Sequence, residues 1–272
     1  MSELMGRKIG FLGAGNMASA LIGGLVKSYL VEPSAIMASD VDPERRGRAE
    51  REFGVRVTAD NREVVRFADV IVLAVKPKVA AAVLDEIGSA VRPEQILISV
   101  CAGITSAFIE SRLAHRTPVM RVMPNTPAMV GAGVSALSCG AHACAAHCEV
   151  ARAILEAVGK VIEIEEKHLD AVTAVSGSGP AYFFYLMEQM EAAGLAEGLP
   201  PTVVQELVKQ TALGAAKLAL ESEEGPRDLR RNVTSPGGTT EAATLFMDSK
   251  AVGQNIVAAI REAAKRSREL GK

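Results

Sequence analysis

The chain has 272 residues, 49% hydrophobic and 23% charged, with a formal net charge of −2. That charge gives no reason to expect nucleic acid or an anionic membrane as partner, and no apolar run approaches the ~20 residues of a membrane-spanning helix. The first residues, Met1 to Lys8, are too few and too polar for a signal peptide, so a cytoplasmic protein is expected.

Lys8–Leu12 is a short apolar run, followed by a helical pattern from Met17 to Ser28. Further strands are expected at Ala35–Ser39, Val55–Thr58, Val70–Val75, Ile96–Val100 and Val119–Met123. Helices are expected near Pro43–Glu52, Val79–Ile87 and Thr105–Leu113. Such alternation predicts parallel strands with helices on both faces. Gly133–Ser138 and Lys160–Ile164 read as two more strands flanking a helix at Ala145–Val158. After Glu166 the strands stop, and helices are expected at Ala181–Glu197, Pro201–Glu221 and Ala251–Leu270, with shorter pieces between. The chain is therefore read as α/β plus all-α, with a boundary between residues 166 and 167.

Tyr182, Phe183, Phe184, Leu186 and Met187 point several ways around one helix. A helix that is apolar on most sides is buried. The expectation is that a second subunit covers it; a bundle that buries it internally is the alternative.

Gly13-Ala14-Gly15-Asn16-Met17-Ala18 sits between the first strand, ending at Leu12, and the first helix. Gly13 permits a tight turn, Gly15 lets backbone approach a pyrophosphate, and Ala18 allows close helix–strand packing. The helix N-terminus then offers N–H groups to the phosphates. In this context the pattern reads as a dinucleotide site in a Rossmann-like sheet. The second strand ends at Ser39-Asp40. An acid there accepts from the ribose hydroxyl of NAD and disfavours the extra phosphate of NADP. Ser39, Arg45 and Arg46 offer a phosphate-binding alternative, and Asp40 and Asp42 are also ordinary helix starters. NADH and NADPH both remain open. Ala74-Val75-Lys76-Pro77 follows the fourth strand; Pro77 holds Lys76 extended, placing this turn at the sheet edge where cofactors lie.

Val233-Thr234-Ser235-Pro236-Gly237-Gly238-Thr239-Thr240 is the second informative segment. Ser235 and Pro236 look like an N-cap and a first helical residue. Gly237 and Gly238 would then cost ~1 kcal/mol each in a first turn, which close approach of a ligand would explain. Bare N–H groups there suit a carboxylate. An ordinary capped helix remains the plainer reading. Met123–Pro127 and Ser176–Ala181 are similar polar turns.

Cys101, Cys139, Cys144 and Cys148 are expected as reduced thiols. With His142 and His147, the last three tempt a zinc reading, but their spacing matches no usual finger or ribbon, and no metal is expected.

Together, Gly10–Ala18, Ala74–Pro77, Arg121–Pro127, Ser176–Tyr182 and Ser235–Thr240 resemble the pyrroline-5-carboxylate reductase family, over nearly the whole chain. The resemblance implies an N-terminal Rossmann domain, a C-terminal helical domain that interlocks with a partner's, and homodimers that assemble in some members into decamers. It implies cofactor contacts at Leu12 to Met17, at Asn61, at Ala74 to Pro77, and at Cys101, Ala102 and Gly103. It places the substrate carboxylate on the Ser235–Thr239 turn of the partner subunit and the Thr240 hydroxyl on the ring nitrogen. Glu223 falls where some members have a carboxylate near the active site. Many members carry a Ser or another small polar or basic residue at position 40; Asp40 departs from this.

The implied reaction is hydride transfer from NADPH or NADH to the C=N of 1-pyrroline-5-carboxylate, giving L-proline. A protonated imine is a good hydride acceptor, so no strong acid is required, and no His lies in these segments. Competing readings are a reductase of another small imino or keto acid, and a non-catalytic NAD(P) sensor.

Overall fold

The computed structural model describes residues 2–270. One eight-stranded sheet has the order β3-β2-β1-β4-β5-β6-β7-β8. The strands β1 (Ile9–Leu12), β2 (Ile36–Ser39), β3 (Arg56–Thr58), β4 (Val70–Leu73), β5 (Ile96–Ser99) and β6 (Val119–Met123) run parallel. The strand β7 (Gly133–Cys139) is antiparallel to β6, and β8 (Gly159–Glu163) is parallel to β7. The order reverses at β1, between β2 and β4, which makes the carboxyl ends of these strands the expected ligand crevice.

Successive residues of a strand face opposite sides of the sheet. Accordingly Val70 and Val72 join one core with Phe11, while Ile71 and Leu73 join the other with Leu12, all fully buried. The first core is closed by α1 (Asn16–Lys27), α2 (Pro43–Phe53) and, later in the chain, the Ala145–Glu156 helix. The second is closed by α3 (Asn61–Phe67), α4 (Pro77–Ile87) and α5 (Ser106–Glu110); the Ala145–Glu156 helix is α6. Each fully buried Leu, Ile or Val contributes about 1.5–3 kcal/mol.

Helix α3 was not expected. It has seven residues, three of them Arg62, Glu63 and Arg66. Asp60 starts it by accepting the Arg62 N–H at 2.8 Å. Tertiary packing holds it: a Cβ on Gly10 would lie 2.5 Å from Val64 Cγ1, so the missing side chain is what lets α3 sit on β1.

Past β8, and among the described residues, there are only helices: α7 (Leu169–Val172), α8 (Gly179–Ala196), α9 (Pro201–Glu221), α10 (Pro226–Asn232), α11 (Thr239–Ser249) and α12 (Val252–Leu270). A π-helical turn at Thr173–Gly177 precedes α8. The chain packs as two units. One runs through Gly177 and regains the chain from Ala263 onward; the other is Ser178–Glu262. The strands end at residue 163, as the pattern implies, but the helical turns up to Gly177 pack with the sheet, and Ser267 near the end of α12 donates to Asp170 at 2.6 Å.

In the second unit α8 packs on α9, burying Val204 and Val208. Phe183, Phe184 and Tyr185 remain 64%, 63% and 67% exposed. Among the described residues no helix is long and apolar enough to cross a membrane.

One expectation is corrected. Cys139 and Cys148 are not separate thiols: they form a disulfide, with Cα atoms 6.6 Å apart. Cys139 ends β7, and Cys148 lies at the start of α6, which folds back on that strand. The strand–turn–helix geometry brings the two Cα atoms within disulfide span, which reasoning from compartment alone does not reveal. Cys101 (buried) and Cys144 (exposed) remain free.

Candidate active site

The turn after β1 is shaped for backbone approach. Gly13 has φ +99°, and a Cβ there would lie 2.7 Å from the Ala74 carbonyl oxygen. Its N–H donates to the Ser39 carbonyl at 2.8 Å, and the Ala74 N–H donates to Leu12 at 2.8 Å. These bonds hold the ends of β1, β2 and β4 together. Gly15 is the N-cap of α1, and no side chain caps that helix. A Cβ on Gly15 would meet nothing within 4 Å. The α1 N-terminus therefore opens, unblocked, onto a cleft of about 680 Å³. Asn16 and Met17 line it on the α1 side, Asp40 and Asn61 across from them, and Ala74, Val75 and Lys76 at the end of β4. Uncapped N–H groups with a positive helix end suit a pyrophosphate.

Asp40 is tied to this turn. Its Oδ2 accepts the Ala14 N–H at 2.9 Å and its Oδ1 accepts the Asp42 N–H at 3.0 Å. Asp42 in turn caps α2, accepting the Glu44 N–H. Ser39 is fully buried and donates to Asn61 Oδ1 at 2.7 Å, while Asn61 Nδ2 donates to Glu86 at 2.8 Å. The Ser39 hydroxyl is thus engaged within the protein. Asn61 is the first residue of α3, a position that the missed helix explains.

Pro77 is the first residue of α4 and Lys76 its exposed N-cap. Beyond β5, the Cys101 thiol donates to the Val75 carbonyl at 3.2 Å, and burial pushes its pKa up to about 11. It is a neutral structural donor that joins the ends of β4 and β5. Ala102 follows it half-buried, and Gly103 turns the chain with φ +77°.

In the helical unit, Ser235 is not an N-cap. Helix α11 begins at Thr239, with Gly238 as cap. Ser235–Gly238 is instead a turn closed by the Gly238 N–H on the Ser235 carbonyl at 3.0 Å, with Gly237 at φ +71°. Pro236 and Gly237 occupy the two middle positions that favour Pro and Gly in such a turn, so neither glycine is spent inside the helix. Glu241 reaches back and accepts the Gly237 N–H at 2.7 Å. The turn's amides are therefore partly satisfied, and the uncapped ones lie at the start of α11, where Thr239 and Thr240 sit. Sequence reasoning missed Glu241, although an acid three residues past a helix cap is a known capping signal. Glu223 lies exposed in the loop before α10.

Two segments flagged as plain turns meet. Asn125 Nδ2 donates to the Ser176 carbonyl at 3.3 Å, and its Oδ1 accepts the Val134 N–H at 2.9 Å. Buried Arg121, in β6, pairs with Glu166 at 3.1 Å. Burial acts to raise the Glu166 pKa, but hydrogen bonds from Ser106 and Arg121 outweigh it and hold the carboxyl below its ordinary value. Nothing in the sequence singles out Glu166, since the pairing spans 45 positions.

A parallel sheet with an uncapped glycine turn at its switch point, joined to a separate helical unit, defines a Rossmann-type nicotinamide oxidoreductase. The chain belongs to the pyrroline-5-carboxylate reductase family. A pyrroline-5-carboxylate reductase of Pseudomonas aeruginosa is 47% identical over 264 residues, covering 97% of this chain and 96% of the relative. One from Bacillus subtilis is 40% identical, covering 97% and 89%. The family model for pyrroline-5-carboxylate reductase dimerisation matches residues 166–270. That for NADP oxidoreductase, coenzyme F420-dependent, matches residues 8–103. A pyrroline-5-carboxylate reductase structure from Coxiella burnetii superimposes with TM-score 0.89 at 36% identity, covering 98% of this chain and 99% of the other. A Plasmodium falciparum pyrroline carboxylate reductase with NADP bound gives TM-score 0.90 at 28% identity, covering 99% and 100%.

Proposed function

We infer that this chain reduces the C=N bond of 1-pyrroline-5-carboxylate to give L-proline, the last step of proline biosynthesis, using NADPH or NADH. The observation that carries this is identity of 47% to a pyrroline-5-carboxylate reductase along nearly the full length, through both units. When bound, the nicotinamide supplies the hydride. The protein's own residues supply position and charge. The Gly13–Gly15 turn and the α1 N-terminus hold the pyrophosphate. Leu12, Ala14, Asn16, Met17, Asn61, Ala74 to Pro77 and Cys101 to Gly103 shape the rest of the dinucleotide cleft.

The Ser235–Thr239 turn and the α11 N-terminus take the substrate carboxylate. The Thr240 hydroxyl holds the ring nitrogen and accompanies its proton, with Glu223 as an accessory carboxylate. The active unit is a homodimer in which the apolar faces of α8 and its neighbours meet a second copy, and in which the partner subunit provides the substrate turn. Residues 1–166 then form the dinucleotide domain and 167–272 the substrate and dimerisation domain. Dimers assemble further towards a decamer, and the protein works in the cytoplasm. The test is to mix purified protein with pyrroline-5-carboxylate and follow NADH and NADPH oxidation, with proline as product. A folded protein that binds dinucleotide yet turns over with neither cofactor would remove the assignment.

A further inference from the structure

The cleft beside the glycine turn is lined by both acids and bases: Asp40, Asp42, Arg45, Arg48 and Lys76. Their commitments differ. Arg45 lies between the two carboxylates, 3.7 Å from Asp40 and 3.4 Å from Asp42. Arg46, just behind, donates to the carbonyl of Asp40 at 2.7 Å and of Val41 at 3.2 Å. Arg48 donates to Ser19 Oγ at 2.9 Å, on the α1 side. The guanidiniums nearest the end of β2 are therefore already matched to acids and carbonyls. The Ser39 hydroxyl, bonded to Asn61, is no phosphate donor either.

Asp40 is different. Each of its carboxylate oxygens takes one backbone N–H, from Ala14 and from Asp42. A carboxylate oxygen has two acceptor sites, so Oδ1 keeps one for a donor in the cleft, while Oδ2 also faces the Arg45 guanidinium at 3.7 Å. A ribose 2′-hydroxyl is such a donor. An ionised 2′-phosphate has no proton to give and brings like charge against a side chain that is only 7% exposed. The same bonds fix the carboxylate, so it does not swing aside to admit the phosphate.

From this geometry we infer that Asp40 sets the cofactor preference, and that this enzyme takes NADH over NADPH by excluding the 2′-phosphate. The inference rests on the dinucleotide-cleft reading above, not on the identity of the imine.

The test is equilibrium binding, without substrate, of NADH and NADPH to the full-length protein, repeated with ADP-ribose and its 2′-phosphorylated form. Wild type is expected to bind NADH at least about tenfold tighter than NADPH, because like charges meet in a partly desolvated site. Asp40→Asn keeps an oxygen for the Ala14 N–H but removes the charge, and is expected to shrink that ratio about tenfold or more. Asp40→Ser is expected to move it further towards NADPH. Equal or tighter NADPH binding by wild type overturns the inference, as does an unchanged ratio in Asp40→Asn. Should both variants misfold, the pair of ADP-ribose fragments on wild type decides it: a ratio near one overturns it, and one that shrinks with added salt supports it. NADH preference without turnover of pyrroline-5-carboxylate leaves the inference standing and removes only the proposed substrate.

Discussion

Arg121 Nη1 lies 3.1 Å from Glu166 Oε1, joining the middle of β6 to the turn that follows β8. The arginine side chain is 7% exposed and the glutamate 28%, and Ser106 donates to the same carboxylate from its backbone at 2.8 Å and from its hydroxyl. Removing one member of a buried pair strands the charge of the other. Glu166→Gln keeps an acceptor for the Ser106 N–H but leaves Arg121 unmatched. It is expected to cost about 2 kcal/mol at neutral pH, the scale of a hydrogen bond to a charged group. Because the folded-state pKa is lowered, this stabilisation is present above the ordinary carboxyl value of 4.5 and is lost as pH falls through the lowered one. Denaturant unfolding of wild type and variant across this range checks it. The stability gap should close on the acid side, and a gap that stays constant from neutral to acid would count against the pairing.

The two glycines of the dinucleotide turn should separate folding from binding. Gly13 combines φ +99° with a backbone oxygen 2.7 Å from any added Cβ. Gly13→Ala is expected to destabilise the fold by about 1–3 kcal/mol. Gly15 has an ordinary φ of −74° and open space where a Cβ would go. Gly15→Ala is expected to leave the melting temperature unchanged while weakening NADH binding about tenfold or more, since the methyl enters the path of the pyrophosphate. Thermal unfolding and dinucleotide titration of both variants measure this directly. Equal effects of the two substitutions on melting would refute the distinction.

These contrasts also mark how far the sequence is legible. The strand–helix alternation and the Gly13–Ala18 pattern are local, and the structure places both where periodicity and turn chemistry put them. The short α3 escapes because its seven residues are mostly polar and its reason for being helical is Gly10, fifty positions away in the chain. Position 40 is readable as an acid at the end of a strand. Its bond to the Ala14 N–H, 26 positions off, belongs to the folded sheet. The Pro236-Gly237 pair speaks for a turn, yet Ser235 followed by Pro imitates a helix start. Only the left-handed Gly237 and the closing bond to Ser235 place the helix later. Residue spacing in β7 and α6 likewise does not announce that Cys139 and Cys148 meet.

The disulfide has its own test. It closes a loop with a sequence separation of 9, for which chain entropy gives about 2–3 kcal/mol. Thiol titration of the unfolded, unreduced protein should find two reactive groups, Cys101 and Cys144, and four after reduction. Reductant or Cys139→Ser should lower the unfolding free energy by about that amount. Four thiols before reduction would show the bond absent in the protein as prepared.

In the proposed reaction, the part of the helical unit falls to Thr240. It is the second residue of α11, directly after the turn at Gly237 and Gly238, and its half-buried side chain starts a helix that no side chain caps. A substrate carboxylate at that helix N-terminus, as proposed above, would set the imine nitrogen of a five-membered ring beside the adjacent hydroxyl. In that reaction its oxygen would accept a hydrogen bond from the protonated ring nitrogen, which would place its contribution in the chemical step rather than in dinucleotide binding. Thr240→Ala is therefore expected to lower kcat about 10²-fold with little change in the Kd for NADH, and Thr240→Ser to restore most of the loss. Steady-state kinetics alongside dinucleotide titration separates the possibilities. A kcat equal to wild type in Thr240→Ala would take Thr240 out of the mechanism, and a fall in NADH affinity matching the loss in kcat would make it a structural residue of the turn.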